Sequence, residues 1–280
     1  MSTSAKISPS PTPHHNKKGV SMELLQGVSK KRGAAYLVLI DPQKSTSERA
    51  GMISAIAERN GADAILVGGS GGTSRSRLDS VVRSAKKYGG GLPVIIFPGS
   101  AEQVSTRADA IMFMSLASSR NPKYLIGEQV RAAKRIWRSG LEVIPTGYLL
   151  VRAGSEKNRK KSSVEARTGA RPIKGVKDVL AHALACKYLG FRALYLEAGS
   201  GSEKPIPEGI VRSVKEATGL PLFVGGGVRT PTQARLLARA GGDFIVTGNI
   251  LEGKSPESVK TIIRGISRAV HYKDGGRLKK

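Results

Sequence analysis

Eight short apolar runs recur along this chain of 280 residues, and each stops on small, polar or glycine-rich residues. They lie at Tyr36–Asp41, Ala64–Gly68, Val94–Phe97, Ala110–Met114, Glu142–Thr146, Ala193–Glu197, Leu222–Val224 and Phe244–Thr247. The runs are continuously apolar and rich in Val, Ile and Leu, the pattern of strands buried on both faces. Helical patterns separate most of them. SERAGMISAIAERNG carries Met52, Ile53 and Ile56 and closes on Gly61. TPTQARLLARAGG opens as a capping box, with Thr230 as cap, Pro231 at the first helical position and Gln233 three residues on. Strand and helix alternating eight times predict a (β/α)8 barrel. Such a barrel typically takes about 250 residues, which predicts a single domain over 19–272. Polar or basic tails are expected at 1–18 and 273–280, the first of them disordered.

Two spacings break the rhythm. Only GSAEQVSTRAD, about eleven residues, separates the third run from the fourth. That is too short for two loops and a helix of the usual ten or more residues. The helix after the third strand is therefore expected to be missing or reduced, leaving a groove for something long and apolar. After the fifth run, Arg152–Pro172 reads as a basic loop of about twenty residues, long enough to be functional or mobile.

The last three strand ends carry the clearest chemistry. LEAGSG, FVGGG and IVTGN each end where only backbone and small side chains remain. Glycine lets backbone N–H groups come close to a phosphate, and a parallel barrel gathers such turns at its carboxyl-terminal rim. Gly199–Gly201, Gly226–Gly227 and Gly248–Asn249 thus form one candidate phosphate cradle. Tyr195 and Glu197 alternate onto the same strand face, so Glu197 is placed to hold a hydroxyl and accept its proton. Asp41 ends the first strand and Ser70 stands at the equivalent height on the second. A rim aspartate must be hydrated, paired or on a metal, and magnesium favours a sparse oxygen set completed by substrate phosphates. A helix cap or a salt bridge to Lys44 is the alternative for Asp41. By spacing alone, Met112, Phe113, Met114 and Leu116 read as core.

Composition excludes several classes. The apolar stretches, of about eight residues, fall far short of the ~20 that span a bilayer, and the first twenty residues lack the apolar core of a secretory signal. A cytoplasmic protein is expected. Cys186 is the single cysteine, which rules out an intrachain disulfide and reads as a small core residue. No histidine falls in a rim motif, and His14 and His15 lie in the tail. Forty-six Lys and Arg against 21 Asp and Glu leave a net charge of +25. The excess is spread along the chain and not interleaved with aromatics. It is read as a solvated surface able to steer an anionic substrate or to rest on an anionic membrane, and nucleic acid is not expected.

The ordered set LIDPQK, ADAILVGGSGGT, PVIIFPGS, ADAIMFMSLASSRNP, EVIPTGYLLV, YLEAGSG, VGGGVRTPTQAR and IVTGNILE resembles the geranylgeranylglyceryl phosphate synthase family, including its bacterial heptaprenyl relatives. The resemblance covers nearly the whole barrel. It implies a magnesium-dependent prenyltransferase joining sn-glycerol 1-phosphate to geranylgeranyl diphosphate, the first ether bond of archaeal membrane lipids. It also implies a homo-oligomer. Carried over by position, Asp41 and Ser70 resemble the family's Mg2+ site. Tyr195, Leu196, Glu197, Ala198, Gly199, Ser200, Gly201, Gly226, Gly227, Gly248 and Asn249 resemble its glycerol-phosphate site, with Glu197 and Asp41 catalytic. The chain departs from the family pattern at Gln43 and Arg152, where an acidic residue is common. A different prenyl length, or a phosphate-binding isomerase on the same barrel, is the alternative. Turnover of a prenyl diphosphate separates the two.

Overall fold

The computed structural model describes residues 20–154 and 161–273. The expected tail at 1–18, nearly all of 273–280 and the middle of the basic segment after the fifth strand lie outside them. Eight parallel strands close into one barrel in sequence order: β1 (Ala35–Ile40), β2 (Ala64–Gly69), β3 (Val94–Pro98), β4 (Ala110–Leu116), β5 (Glu142–Leu150), β6 (Ala193–Glu197), β7 (Leu222–Gly225) and β8 (Phe244–Thr247). Around them run α2 (Ser47–Arg59), α3 (Arg75–Tyr88), α4 (Glu128–Ser139), α6 (Val176–Tyr188), α7 (Glu208–Thr218), α8 (Pro231–Arg239) and α9 (Pro256–Val270). The predicted capping box on α8 is present, Thr230 accepting from the Gln233 amide and Gln233 reaching back.

Strand alternation divides the core in two. Leu37, Leu66, Ile95, Met112, Ile144, Tyr195, Phe223 and Phe244 fill the barrel interior. Val38, Val67, Ile96, Leu194, Leu196 and Val224 face the helices. Near the rim, the interior is aromatic. Tyr195 stacks on Tyr148 at 5.3 Å and on Phe223 at 6.0 Å between ring centroids, and Phe97 tilts against it at 5.2 Å. These rings close the barrel below the site, so the rim is a floor and not a pore.

Three features differ from the sequence expectations. A helix not anticipated, α1 (Val20–Arg32), covers the amino-terminal end. Its Ser21 and Met22 amides donate to the Glu142 carboxylate at 2.8 and 3.1 Å, and Met22 and Leu25 pack into the barrel interior. A carboxylate at a helix N-terminus satisfies its orphan donors and its dipole. Second, the stretch after β5 is not all loop. It forms a short helix, α5 (Ser163–Thr168), with a full capping box between Ser162 and Glu165. Third, β5 does not stop at Thr146 but runs on to Leu150, pairing Tyr148 with Tyr195 and Leu150 with Glu197. Pro and Gly normally interrupt a strand. Here the Pro145 carbonyl still accepts from Arg192, and Gly147 admits Cys186, whose Sγ would stand 2.6 Å from a Cβ at that position. The buried Cys186 is thus a packing residue, as expected.

The missing helix is confirmed. Between β3 and β4 the described chain forms turns and no helix. Buried polar side chains stitch this segment down instead. Gln103 donates to the Gly71 carbonyl at 2.7 Å and accepts from the Gly99 amide at 2.8 Å.

Candidate active site

Two cavities meet on the carboxyl-terminal rim. The first is a polar basin over β6, β7, β8 and β1, with Asp41, Ser70, Glu197, Gly226, Gly248 and Asn249 in its wall. The glycine turns form its far side. Gly226 and Gly227 have φ of +79° and +69°, and a Cβ on Gly226 would strike the Glu197 carboxylate. A Cβ on Gly225 would likewise strike the Tyr195 hydroxyl. Only glycine lets the β7 turn and the β6 side chains share this space. Ser200 reaches Asn249 across the basin at 3.2 Å. Arg229, two residues before α8, and Asn249 and Ile250, in a single turn at Asn249–Leu251, line the same basin.

Glu197 lines the basin and is itself buried. Burial pushes its carboxyl up to about 7, against the Gly199 amide and the Tyr148 and Tyr195 hydroxyls, whose hydrogen bonds pull it down. The Gly199 N–H lies 2.7 Å from Oε1. A carboxylate poised near neutrality and held by three donors is suited to take up a proton at physiological pH.

The rest of the YLEAGSG run divides by strand alternation. Ser200 and Gly201 line the basin. Leu196 points outward into the helix-facing core, and the Ala198 amide is spent on the Gly225 carbonyl. The side chains of Leu196 and Ala198, both expected in the glycerol-phosphate site, pack in the helix-facing core.

Asp41 does not pair with Lys44, which binds Glu252 at 3.0 Å. One Asp41 oxygen accepts the Gln43 amide at 2.8 Å. The other lies over Gly69, where a Cβ would stand 2.9 Å from it. The absence of that Cβ lets the carboxylate approach the Ser70 segment, and both residues line the basin. One carboxylate and one hydroxyl fit a magnesium ion that takes its other oxygens from substrate and water. Among the described residues no cluster of three or more His, Cys, Asp or Glu side chains offers a richer metal site.

The second cavity is the groove left by the missing helix. It runs from Ser70 and Phe97 down between β3, β4 and α4, walled by Val104, Met112, Phe113, Met114, Ala132 and Ile136. The β4 side chains read as core are partly groove wall: Phe113 and Met114 are only half-buried. Gly69, Ser70, Phe97, Tyr148 and Val164 line both cavities, so the two are continuous.

A family model described as the PcrB family matches residues 26–266 of this chain. The chain belongs to the PcrB family. The geranylgeranylglyceryl phosphate synthase of Pyrococcus abyssi is 45% identical over 238 residues, covering 84% of this chain and 91% of the relative. That of Thermofilum pendens is 43% identical over 240 residues, covering 86% and 91%. A solved structure of (S)-3-O-geranylgeranylglyceryl phosphate synthase from Thermoplasma acidophilum in complex with substrate sn-glycerol-1-phosphate matches with a TM-score of 0.81 at 38% identity. The match covers 89% of this chain and 98% of that one.

In this PcrB-family barrel, sequence reasoning missed three residues that the geometry brings to the site. Tyr148 was hidden by the apparent break at Pro145 and Gly147. Arg229, on the lip of the basin with its guanidinium 3.3 Å from the Ser202 carbonyl, was visible in VGGGVR as a cation beside the glycines. Arg167, on α5, lines the groove. The signal for its helix was the S-x-x-E spacing of Ser162 and Glu165.

Proposed function

We propose that this chain is a geranylgeranylglyceryl phosphate synthase, transferring a geranylgeranyl group from its diphosphate to the C3 hydroxyl of sn-glycerol 1-phosphate. One observation carries the reading: a glycine-walled polar basin with a poised carboxylate shares its wall with an apolar groove. The basin suits a small phosphorylated alcohol. The groove suits a hydrocarbon tail, which isomerase substrates on this barrel lack. Their meeting point, at Ser70, Phe97 and Tyr148, is where the two reacting atoms belong.

The glycine turns hold the glycerol phosphate by backbone, leaving its far hydroxyl over Glu197. The hydroxyl oxygen bonds to the allylic C1 as the C1–O bond to diphosphate breaks, its electron pair leaving with diphosphate. The hydroxyl proton passes to Glu197. Tyr148 and Tyr195 hold the carboxylate in place, and the aromatic floor keeps water from beneath a carbon that gains cationic character. Catalysis then rests on positioning and on charge placement. Asp41 and Ser70 would hold Mg2+, which supplies charge neutralisation for the departing diphosphate. The family resemblance supports self-association, and the net charge of +25 supports a resting contact with an anionic membrane. Among the described residues, no helix is long and apolar enough to cross a membrane.

The test is incubation with sn-glycerol 1-phosphate and a ladder of prenyl diphosphates, with magnesium or with EDTA, followed by mass analysis. The expected product is the prenylglyceryl phosphate, with the geranylgeranyl donor preferred and EDTA abolishing turnover. Failure with every donor rules out the reaction. Turnover in EDTA rules out the metal requirement alone.

A further inference from the structure

One cation at the junction of the two cavities has no counter-charge. Arg167 projects from α5 and donates through Nη1 to the Ser70 carbonyl and through Nη2 to the Gly99 carbonyl. Both acceptors are neutral. Among the described residues no carboxylate pairs with Arg167. Other cations around the site are differently placed. Lys44 pairs with Glu252. Arg131 and Arg135 are drawn to Glu102 and Glu128. Arg77 is tied to the Pro42 and Gln43 carbonyls, outside both cavities. Arg167 is half-buried and, among the described residues, is the one cation in the wall of the apolar groove. A half-buried charge against apolar surface is costly without an anion to meet it.

The position of Arg167 is fixed from two directions. The Tyr124 hydroxyl donates to the Arg167 carbonyl at 3.2 Å, and Val164, one turn earlier on α5, lies in the wall of both cavities. A guanidinium has five N–H donors, and the two rim carbonyls engage only two nitrogens. The remaining donors are available while the contacts to Ser70 and Gly99 persist.

We propose that Arg167 is a binding residue for the diphosphate of the prenyl substrate, using the donors its rim contacts leave over and acting on the leaving group directly. This rests on the reading of the site as a prenyltransferase. A tail in the groove places its diphosphate at the groove's polar end, beside Ser70, which Arg167 already grips by the backbone. Charge-assisted contacts from a planar fork are the strong kind, and an arginine recognises phosphate oxygens in pairs where a lysine offers a point charge.

Calorimetric binding of inorganic pyrophosphate and of geranylgeraniol, each in magnesium and in EDTA, tests this on the wild type, Arg167→Ala and Arg167→Lys. The alcohol carries the tail without the charge. The expected result is a loss in pyrophosphate affinity of about 10- to 100-fold in Arg167→Ala, present in both buffers and partly recovered in Arg167→Lys. Alcohol affinity should stay unchanged. Equal pyrophosphate affinity in wild type and Arg167→Ala overturns the proposal. So does a parallel loss for the alcohol, which would make Arg167 a prop for the groove wall. A loss that vanishes in EDTA while the wild type still binds there overturns it too, since Arg167 would then act only through the magnesium site at Ser70. Absent turnover in the wild type sinks the proposed reaction while an Arg167-dependent affinity keeps the diphosphate site standing. Turnover with unaltered affinity in Arg167→Ala sinks the site alone.

Discussion

Over β6, β7 and β8 the wall of the site is backbone, whereas beside β3 and β4 it is side chain. The basin is shaped by glycines whose missing Cβ atoms leave room for Glu197 and Tyr195. The groove is shaped by a helix that is not there, with Val104, Phe113, Ala132 and Ile136 covering what the helix would have buried. A phosphate needs fixed N–H donors and tolerates little change, while a hydrocarbon tail needs only apolar area of the right length. Substitutions in the basin should therefore act on turnover steeply, and substitutions in the groove gradually and according to the tail.

The steepest test of that contrast is Glu197→Gln. Turnover should fall by about 10²–10⁴, the usual cost of losing a general base, while glycerol-phosphate affinity stays near wild type because the glycine turns are untouched. A matching fall in affinity would make Glu197 a binding residue only. The pH profile sharpens the point. With the carboxyl pushed up to about 7 by burial, wild-type kcat should rise with pH through that value. Stability should move the other way. Between about 4.5 and 7 the folded state holds a proton that the unfolded state has lost, so stability falls as pH rises through this window. Glu197→Gln should flatten both curves.

Next in size is Asp41→Ala. Removing one charge-stabilising ligand at such a site costs about 10²–10³ in kcat, and magnesium should no longer raise the rate. Thermal unfolding should be nearly unchanged, because the side chain serves the fold through one bond to the Gln43 amide. A large fall in melting temperature with turnover retained would make Asp41 a loop cap.

The groove answers to a different measurement. Ala132 is buried in its wall, and Ala132→Trp should exclude about one isoprene unit of tail. That forfeits about 2 kcal/mol of burial, or about 30-fold in KM for the geranylgeranyl donor. A shorter donor should lose less, and the KM for glycerol phosphate should not move. Equal loss for all donor lengths would mean that the tail lies elsewhere.

The same contrast governs what could be read before the fold was known. The basin was legible because glycine leaves a written mark, and Gly226, Gly248 and Asn249 stand where the sequence put them. Asp41, Ser70 and Glu197 were legible because a charged or hydroxyl side chain at the end of an apolar run has few structural uses. The groove was legible only as a gap in spacing. Its lining could not be read, because Met112 and Phe113 look the same whether a helix or a substrate tail covers them. Leu196 and Ala198 entered the candidate site by position in a motif, and strand alternation puts their side chains in the helix-facing core. Tyr148 was lost because Pro145 and Gly147 normally end strands, yet β5 tolerates both. α1 carried no motif at all, and its place depends on a distant partner, Glu142.

The smallest expected effect comes from the element that joins the two regions. α5 reaches both. Its cap residue Ser162 sits on the Gly199 turn, close enough that a Cβ on Gly199 would stand 2.9 Å from the Ser162 Cβ. Its last turn carries Arg167 to Ser70 and Gly99 on the opposite side. Ser162→Ala removes the cap that accepts from the Glu165 amide at 3.3 Å, at a cost of about 1 kcal/mol to a helix of one and a half turns. No group at either cavity changes its chemistry. The helix is simply ordered less often, so the KM for both substrates should rise by the same factor, about 5-fold at most if ordering limits binding. Steady-state titration of each substrate at saturation of the other measures this. A rise confined to glycerol phosphate would show that α5 serves the basin alone through its contact with Gly199. A rise confined to the prenyl donor would assign it to the groove through Arg167. Equal rises would mean that one short helix couples a backbone-walled cavity to a side-chain-walled one, which is what placing Val164 in both walls requires.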